Sequence, residues 1–412
     1  MTTHRHASLA VARLGCALLA LAASVAQPAG AQKPPVDPTR LPPTPTDYTP
    51  RKTAWGEWDF TGTWPYDNPP QAKILFQRPP GYGNRIWLTP EEHDKRLANA
   101  SKLDSAYSRE NVGLTTQTGT QGLSDWTKNS SFSWRTSLLV SPASGQLPPL
   151  TPQADALFKA GRSGWVPGQQ FDWVDDFDTW DRCITRGFPA SMFPNRYNNS
   201  LRVFQSPRTI TIVLEMLGMR VIPIVSKADV HRHRSPNLQT WMGDSRAYWD
   251  GKTLVIDTTN IKSGDSVSRD GEKRAAAPVI VTMIGGAPRD TIPTSKKAHT
   301  LEKLTMTGPN SILYEITYDD PEVFTAPWTA QLEWTRDNNY MMPEYACHEG
   351  DVQIRNYITA SRATRAAIAR GEKVTDSSAA LERFERPFDV DPVAPKPAKA
   401  EPTPPEAAGR DM

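Results

Sequence analysis

Acidic and histidine side chains that could transfer protons lie in the C-terminal half of the sequence. Glu215 interrupts the apolar run TITIVLEM, and a carboxylate buried there must be paired, protonated or placed at a wet cavity. With a raised pKa it could act as a general acid or base, and His299 and His348 are its predicted catalytic partners. The structural alternatives are an ion pair of Glu215 with Arg220 or Arg246, and a hydrogen-bonded core position for His299.

A second group of polar residues could bind a ligand. Asp244-Ser245-Arg246 lies between Trp241 and Trp249, and an arginine flanked by an acid and aromatic rings can hold a carboxylate or a sugar-like ligand. An Asp-Arg pair can also fix the entry to a hairpin, so a structural role stays open. The predicted ligand-binding residues are His233, Trp241, Asp244, Arg246 and Glu349.

Metal and cofactor chemistry has little support in the sequence. His231-Arg232-His233 has a spacing that zinc sites can use, but the segment is basic, is followed by a proline, and offers no nearby cysteine or carboxylate to complete a ligand shell. No G-x-S-x-G elbow, phosphate loop or dinucleotide fingerprint occurs. We therefore expect neither a metal nor a cofactor, and the common hydrolase, nucleotide and nicotinamide functions are not indicated.

The N-terminus has the pattern of a secretory signal peptide. Arg5 and Arg13 precede a short apolar run that ends in small residues, which predicts cleavage near residue 32 and a periplasmic or secreted protein. Residues 1–32 hold two of the 47 basic residues and none of the 45 acidic ones, so the charges of the remaining chain balance. A balanced chain lacks the basic surface of a nucleic-acid partner, and no integral membrane segment is expected after cleavage.

Two cysteines, Cys183 and Cys347, remain after the predicted leader. In an oxidising compartment they most simply form a disulfide. The alternative is a nucleophilic Cys347, although the adjacent His348 cannot easily reach back to its own neighbour. A disulfide would place His348 and Glu349 on fixed backbone, where a site could form; the competing interpretation is that Glu349 stabilises a following helix at its N-terminus.

The elements that must position these residues are mainly β-strands. Short β-branched and aromatic runs separated by turn residues predict an antiparallel meander, with a hairpin at Asp250-Gly251. In one of these runs the odd spacing of His299 and Glu302 places them on opposite faces. The predicted strands are 200–206, 209–216, 219–225, 246–250, 252–259, 299–306, 311–319 and 328–336.

The chain divides into five predicted regions. After the signal peptide come a proline-rich linker (33–54) and an irregular N-terminal region (55–180), in which Thr-Pro pairs at 89 and 151 start two short helices. A β domain with a C-terminal helix (181–372) follows, and residues 373–412 have the composition of a disordered tail. The predicted architecture is a lipocalin-like barrel or a strongly curved sheet carrying that helix.

Six short motifs lie between residues 182 and 350: RCIT, YNN, WMGDSR, WDGKTLV, DDP and YACHEG. Through them the chain resembles a family of exported bacterial proteins. The resemblance implies a shared fold and shared sites but names no reaction. The chain departs from that pattern after Glu215-Met216, where similar proteins usually have a histidine and this sequence has Gly218.

Two functions remain as expectations. The first is a binding protein that holds an apolar or aromatic small molecule in a cup with aromatic walls. The second is a cofactor-independent isomerase, lyase or hydrolase in which Glu215 and a histidine transfer protons. Convergence of Glu215 with a histidine in one pocket would favour the enzyme. A third and weaker interpretation is an envelope structural or assembly factor with the proline-rich ends as tethers.

Overall fold

The computed structural model describes residues 34–65, 75–98, 133–159, 170–177, 179, 181–194, 200–262, 292–349 and 352–374. The predicted signal peptide, the YNN motif, Gly350 and nearly all of the predicted C-terminal tail lie outside these ranges.

The described residues form ten strands and three α-helices. The strands are β1 (Gly62–Pro65), β2 (Leu139–Ser141), β3 (Ser200–Ser206), β4 (Thr209–Leu214), β5 (Met219–Pro223), β6 (Asp244–Asp250), β7 (Thr253–Thr259), β8 (His299–Gly308), β9 (Ser311–Asp319) and β10 (Trp328–Thr335). The helices are α1 (residues 90–98), α2 (Pro152–Lys159) and α3 (Gln353–Ala369).

The strands form two antiparallel sheets. One has four strands in the order β1-β3-β4-β5, and the other has six in the order β2-β10-β9-β8-β7-β6. All eight strands predicted from the sequence are present, and successive strands pair antiparallel within each sheet, whereas the predicted meander is interrupted between β5 and β6. The mainly β architecture with a C-terminal helix is therefore confirmed. β1 and β2, of four and three residues, were not predicted.

Local sequence signals place the hairpins and helix ends where expected. Gly251 opens the two-residue loop between β6 and β7 with φ +63°, a conformation that primed hairpin turns require. At α1, the Thr89 hydroxyl accepts a hydrogen bond from the Glu92 N–H, and the Glu92 carboxylate accepts one from the Thr89 N–H, which makes a capping box. α3 ends just before Gly371, whose φ of +77° favours glycine.

One hydrophobic core lies between the inner faces of the two sheets. β9 shows the alternation that produces it, because Ile312, Tyr314, Ile316 and Tyr318 are all buried on one face, as predicted. The Tyr314 ring stacks on the buried Trp334 of β10 with centroids 4.7 Å apart. Aromatic side chains thus supply much of the apolar area that holds the sheets together.

The two sheets are also linked at their edges. At one side, the Val225 N–H, just after β5, donates to the Ala247 carbonyl of β6 over 2.7 Å. At the other side, the Asp337 N–H, just after β10, donates to the Thr63 carbonyl of β1 over 3.0 Å. The first link holds β5 beside β6, which is where the candidate site lies.

The predicted disulfide is present and connects the two ends of the β region. Cys183 lies before β3 and Cys347 lies after β10, so the bond spans 164 positions of sequence. The proline-rich segment also lies against the body of the protein: the Pro38 carbonyl accepts a hydrogen bond from the Ile86 N–H, and the Arg40 carbonyl accepts one from the Trp87 indole.

None of the helices within the described ranges is both long enough and apolar enough to cross a lipid bilayer.

Candidate functional site

A pocket opens where the edge strands β5 and β6 separate. The two strands run parallel and meet at a single bridge between Ile224 and Ala247, and their preceding residues diverge around a cavity of about 450 Å³. Its apolar lining comes from Met219, Val221, Pro223 and Met242, and its charged lining comes from Arg220, Arg234, Asp244 and Arg246. The pocket therefore offers an apolar surface and a charged surface to one ligand.

The motif segment that precedes β6 has a backbone that fits close against the sheet. Gly243 has φ +72°, and a Cβ there would lie 2.5 Å from the Thr258 side chain and 2.8 Å from the Thr259 carbonyl oxygen. Any other residue would push this pocket wall away from β7. The close approach of this backbone to β7 therefore explains why glycine occupies this position of the WMGDSR motif in this chain.

Alternation along β6 sends neighbouring side chains to different faces. The Ser245 hydroxyl points into the protein and lies 2.9 Å from the Thr258 hydroxyl. Asp244 and Arg246 lie on the outer face, where Asp244 binds Arg234 through the Arg234 backbone N–H (2.8 Å) and Nε (3.0 Å). Asp244 is thus paired with Arg234, and the hairpin-entry pair with Arg246 considered from the sequence does not form.

Behind the pocket lies a fully buried ion pair. Arg220 of β5 donates from Nη1 to Glu302 Oε1 over 2.8 Å and from Nη2 to Oε2 over 2.5 Å, and both side chains are at most 1% exposed. The Tyr314 hydroxyl donates to the same carboxylate over 2.8 Å. Burial disfavours the arginine charge, but the Glu302 carboxylate outweighs that effect and raises the pKa of Arg220. The pair is therefore charged, and it joins the two sheets.

A second cluster lies on the outer face of the six-stranded sheet, around Asp257. Three imidazoles approach this carboxylate: His233 Nε2 at 2.7 Å, His299 Nε2 at 3.0 Å and His231 Nδ1 at 3.1 Å. The Asp257 side chain is 2% exposed, whereas those of His299 and His231 are 38% and 75% exposed. A buried carboxylate therefore holds two accessible imidazoles and fixes which nitrogen carries the proton.

His233 connects this cluster with the pocket. Its Nδ1 lies 3.3 Å from Asp244, which lines the pocket, while its Nε2 faces Asp257. Burial disfavours the charged imidazole, but the two carboxylates more than compensate and raise the pKa of His233. Burial also opposes the charge of Asp257, yet its histidine hydrogen bonds hold the pKa of that carboxyl well below its usual range. His233 is therefore held between two carboxylates that favour its imidazolium form.

The raised pKa of His233 makes the stability of the protein depend on pH. A group with a raised folded pKa stabilises the fold fully below its unfolded pKa of about 6.5, and that contribution is lost as the pH rises through the folded pKa. We expect the free energy of unfolding to fall above pH 6.5, by about 1.4 kcal/mol for each unit between the two pKa values. Urea unfolding between pH 6 and 9 measures this fall.

His233→Gln should flatten that profile, because glutamine does not titrate. The matched control is His348→Gln, since His348 is an exposed histidine in a turn outside the cluster. Equal slopes in the wild type and in His233→Gln would contradict the assignment of His233 as the titrating group.

Glu215 has a different environment from the one expected. The residue is 2% exposed, and its carboxylate accepts a hydrogen bond of 2.7 Å from the Tyr340 hydroxyl. Burial, together with the Glu215 charge, raises the pKa of Tyr340, so the phenol stays protonated and remains the donor. The proposed ion pair with Arg220 is wrong because Arg220 binds Glu302 instead.

The predicted catalytic residues do not converge. Glu215 lies with Tyr340, His299 lies with Asp257, and His348 is exposed in the turn that follows Cys347.

Of the predicted ligand-binding residues, Asp244 and Arg246 line the pocket and His233 contacts Asp244. Trp241 adjoins the pocket segment with the Lys262 ammonium 4.5 Å from its ring, whereas Glu349 is exposed beside the disulfide.

Three central residues were not predicted as site residues: Asp257, Arg220, which was considered only as a partner of Glu215, and Glu302, which was considered only for its face relative to His299. Asp257 follows the apolar run LVI, which is the signal that identified Glu215, whereas Glu302 lies beside Lys303 in a strand of mixed polarity. Within the described ranges, no group of three or more histidine, cysteine, aspartate or glutamate side chains has the geometry of a metal site.

Comparisons of the chain with protein-family models, with curated proteins and with solved structures give no match.

Proposed function

We propose that the protein is an exported binding protein, periplasmic or secreted, for a small molecule with an apolar or aromatic body. The observation that carries the proposal is the pocket between β5 and β6. Its volume of about 450 Å³ falls in the range of small-molecule sites, and one side is formed by the apolar residues Met219, Val221, Pro223 and Met242. Methionine side chains adapt to the shape of varied apolar ligands.

The proposal extends to a lipocalin-like arrangement in which the two sheets curve toward a common barrel. Its support is the pair of hydrogen bonds that link β5 with β6 and β10 with β1. In such an arrangement the separation of β5 from β6 is an opening in the wall, and a ligand entering there meets the buried Arg220–Glu302 pair.

The proposal also gives a physical role to one of the motifs that carry the family resemblance. Most of the WMGDSR motif lines the pocket, including Met242, Gly243, Asp244, Ser245 and Arg246. If the chain belongs to the exported bacterial family that it resembles, its relatives should share this pocket.

A neutral aromatic probe tests the binding function. The fluorescence of N-phenyl-1-naphthylamine rises when the dye enters an apolar site, so we expect saturable binding to the purified protein. Met219→Gln should weaken it roughly fivefold, because about 1 kcal/mol of apolar contact is lost. The matched control is Phe204→Gln, because Phe204 lies on the outer face of the same sheet but does not line the pocket. The two residues have similar exposure, 50% for Phe204 and 58% for Met219.

Absence of saturable binding, or equal losses in the two variants, would contradict the proposal. Mass spectrometry of compounds that co-purify with the native protein would identify the natural ligand.

The second candidate function is a cofactor-independent enzyme, and the Asp257 cluster favours it. A buried carboxylate that fixes the tautomer of a partly exposed imidazole is suited to general acid–base catalysis, and His299 has this arrangement. Glu215 would no longer be part of the reaction, because its partner is Tyr340. Incubation of the co-purified compound with the protein separates the functions: conversion to another mass, or to an isomer with a different chromatographic retention, favours the enzyme, and unchanged recovery favours the binding protein.

A further inference from the structure

The pocket contains one positive charge more than the surrounding carboxylates neutralise. Arg220 is paired with Glu302, and Arg234 is paired with Asp244. Among the described residues Arg246 forms no ion pair; its Nη1 donates instead to the neutral Arg232 carbonyl over 2.5 Å. The excess charge of the pocket therefore belongs to Arg246.

The carboxylate across the sheet does not cancel this charge. Asp257 lies directly opposite Arg246 in the β6–β7 register, but its oxygens face His231, His233 and His299. Arg234 pairs with Asp244, and His233 bridges Asp244 and Asp257, so neither carboxylate is directed at Arg246. Arg246 remains as a cation at the pocket wall.

An unused hydrogen-bond donor lies on the Arg246 side chain. Among the described residues, the buried Nε–H of Arg246 has no hydrogen-bond partner. A buried donor without a partner is unfavourable, and an oxygen of a bound ligand would relieve it. A guanidinium binds carboxylates through planar, charge-assisted hydrogen bonds.

We infer that the ligand of this pocket is an organic monoanion, in which a carboxylate binds Arg246 and an apolar body lies against Met219, Val221 and Pro223. This inference rests on the proposed binding function and specifies its ligand class. A single excess cation selects one negative charge, and the adjacent apolar strand surface selects an aromatic or aliphatic acid over a small inorganic anion.

A pair of probes that differ only in charge tests the inference: 2-naphthoate and the neutral 2-naphthamide. Calorimetric titration of the wild type should give a dissociation constant for naphthoate roughly ten- to hundredfold lower than for naphthamide, as expected for a charge-assisted hydrogen bond. The preference for naphthoate should shrink at high salt, because dissolved ions screen charges at the exposed side of the pocket.

Arg246→Gln should abolish the preference and leave naphthamide binding within about twofold of the wild type. Arg246→Lys retains the charge and should keep part of the preference, which preserves the test if the glutamine variant folds poorly. The charge-matched control is Arg232→Gln, because Arg232 is a neighbouring arginine with a side chain 78% exposed that lies outside the pocket. That variant should keep the full preference.

The outcomes separate the two proposals. Equal affinities for naphthoate and naphthamide would overturn the anion inference and leave the binding function standing. Binding of neither compound would overturn both. A naphthoate preference that survives in Arg246→Gln would overturn the role of Arg246.

Discussion

Glu302→Gln is expected to reduce the free energy of unfolding by about 3 to 5 kcal/mol. The substitution keeps the size of the side chain but leaves the buried Arg220 guanidinium without a counter-charge. The hydroxyl of Tyr314 also loses its charged acceptor. Urea denaturation followed by tryptophan fluorescence should show a lower midpoint with an unchanged slope.

The control for this prediction lies one position along the same strand. Lys303 points to the outer face and pairs with Glu315 at 3.0 Å, with a side chain 49% exposed. Lys303→Gln should therefore cost less than about 1 kcal/mol. Replacing both buried partners, Arg220→Met with Glu302→Leu, should recover most of the loss, because the cost comes from the orphaned charge. Similar costs for Glu302→Gln and Lys303→Gln would contradict a desolvated ion pair.

Removing the disulfide by Cys183→Ser with Cys347→Ser is expected to destabilise the protein by about 5 kcal/mol. The bond closes a loop of 164 sequence positions, and the conformational entropy that such a loop regains in the unfolded chain sets this magnitude. Comparison of urea midpoints between the oxidised wild type and the double variant measures it.

Two further measurements bear on the disulfide. The wild type treated with reductant should unfold at the midpoint of the double serine variant, since both lack the cross-link. Thiol titration of the folded, unreduced protein after loss of the leader should find no free thiol. Two titratable thiols, or identical midpoints before and after reduction, would show that the bond does not contribute in solution.

The β architecture could be predicted because its signals are local. Alternation in runs such as SILYEITYD and the turn at Asp250-Gly251 depend only on neighbouring residues, and the strands formed at those places. β1 was missed because GTWP is short, ends in proline and lies among loops. It forms a strand because β3 offers a partner about 140 residues later in the sequence, at registers such as Trp64 with Leu201.

The candidate site was predicted less well because its contacts join distant segments. Arg220 and Glu302 are 82 positions apart and belong to different sheets. The local sequence around either residue therefore does not predict that the other is its partner. The rule that singled out Glu215 applies also to Asp257, but it identifies a buried charge without its partner. The disulfide was predicted correctly, and yet the His348 beside it lies in an exposed turn and joins none of the described clusters.

The same disulfide has a consequence for maturation of the chain. Of the three cysteines, Cys16 belongs to the predicted leader, so its removal leaves one possible intramolecular pairing. No wrong isomer can then form within one chain, and an oxidant suffices without a disulfide isomerase. Because Cys347 lies after the last of the ten described strands, oxidation must wait until all of them have been synthesised. Formation of the disulfide is thus a late step, and it cross-links a chain whose β-strands are already available to pair.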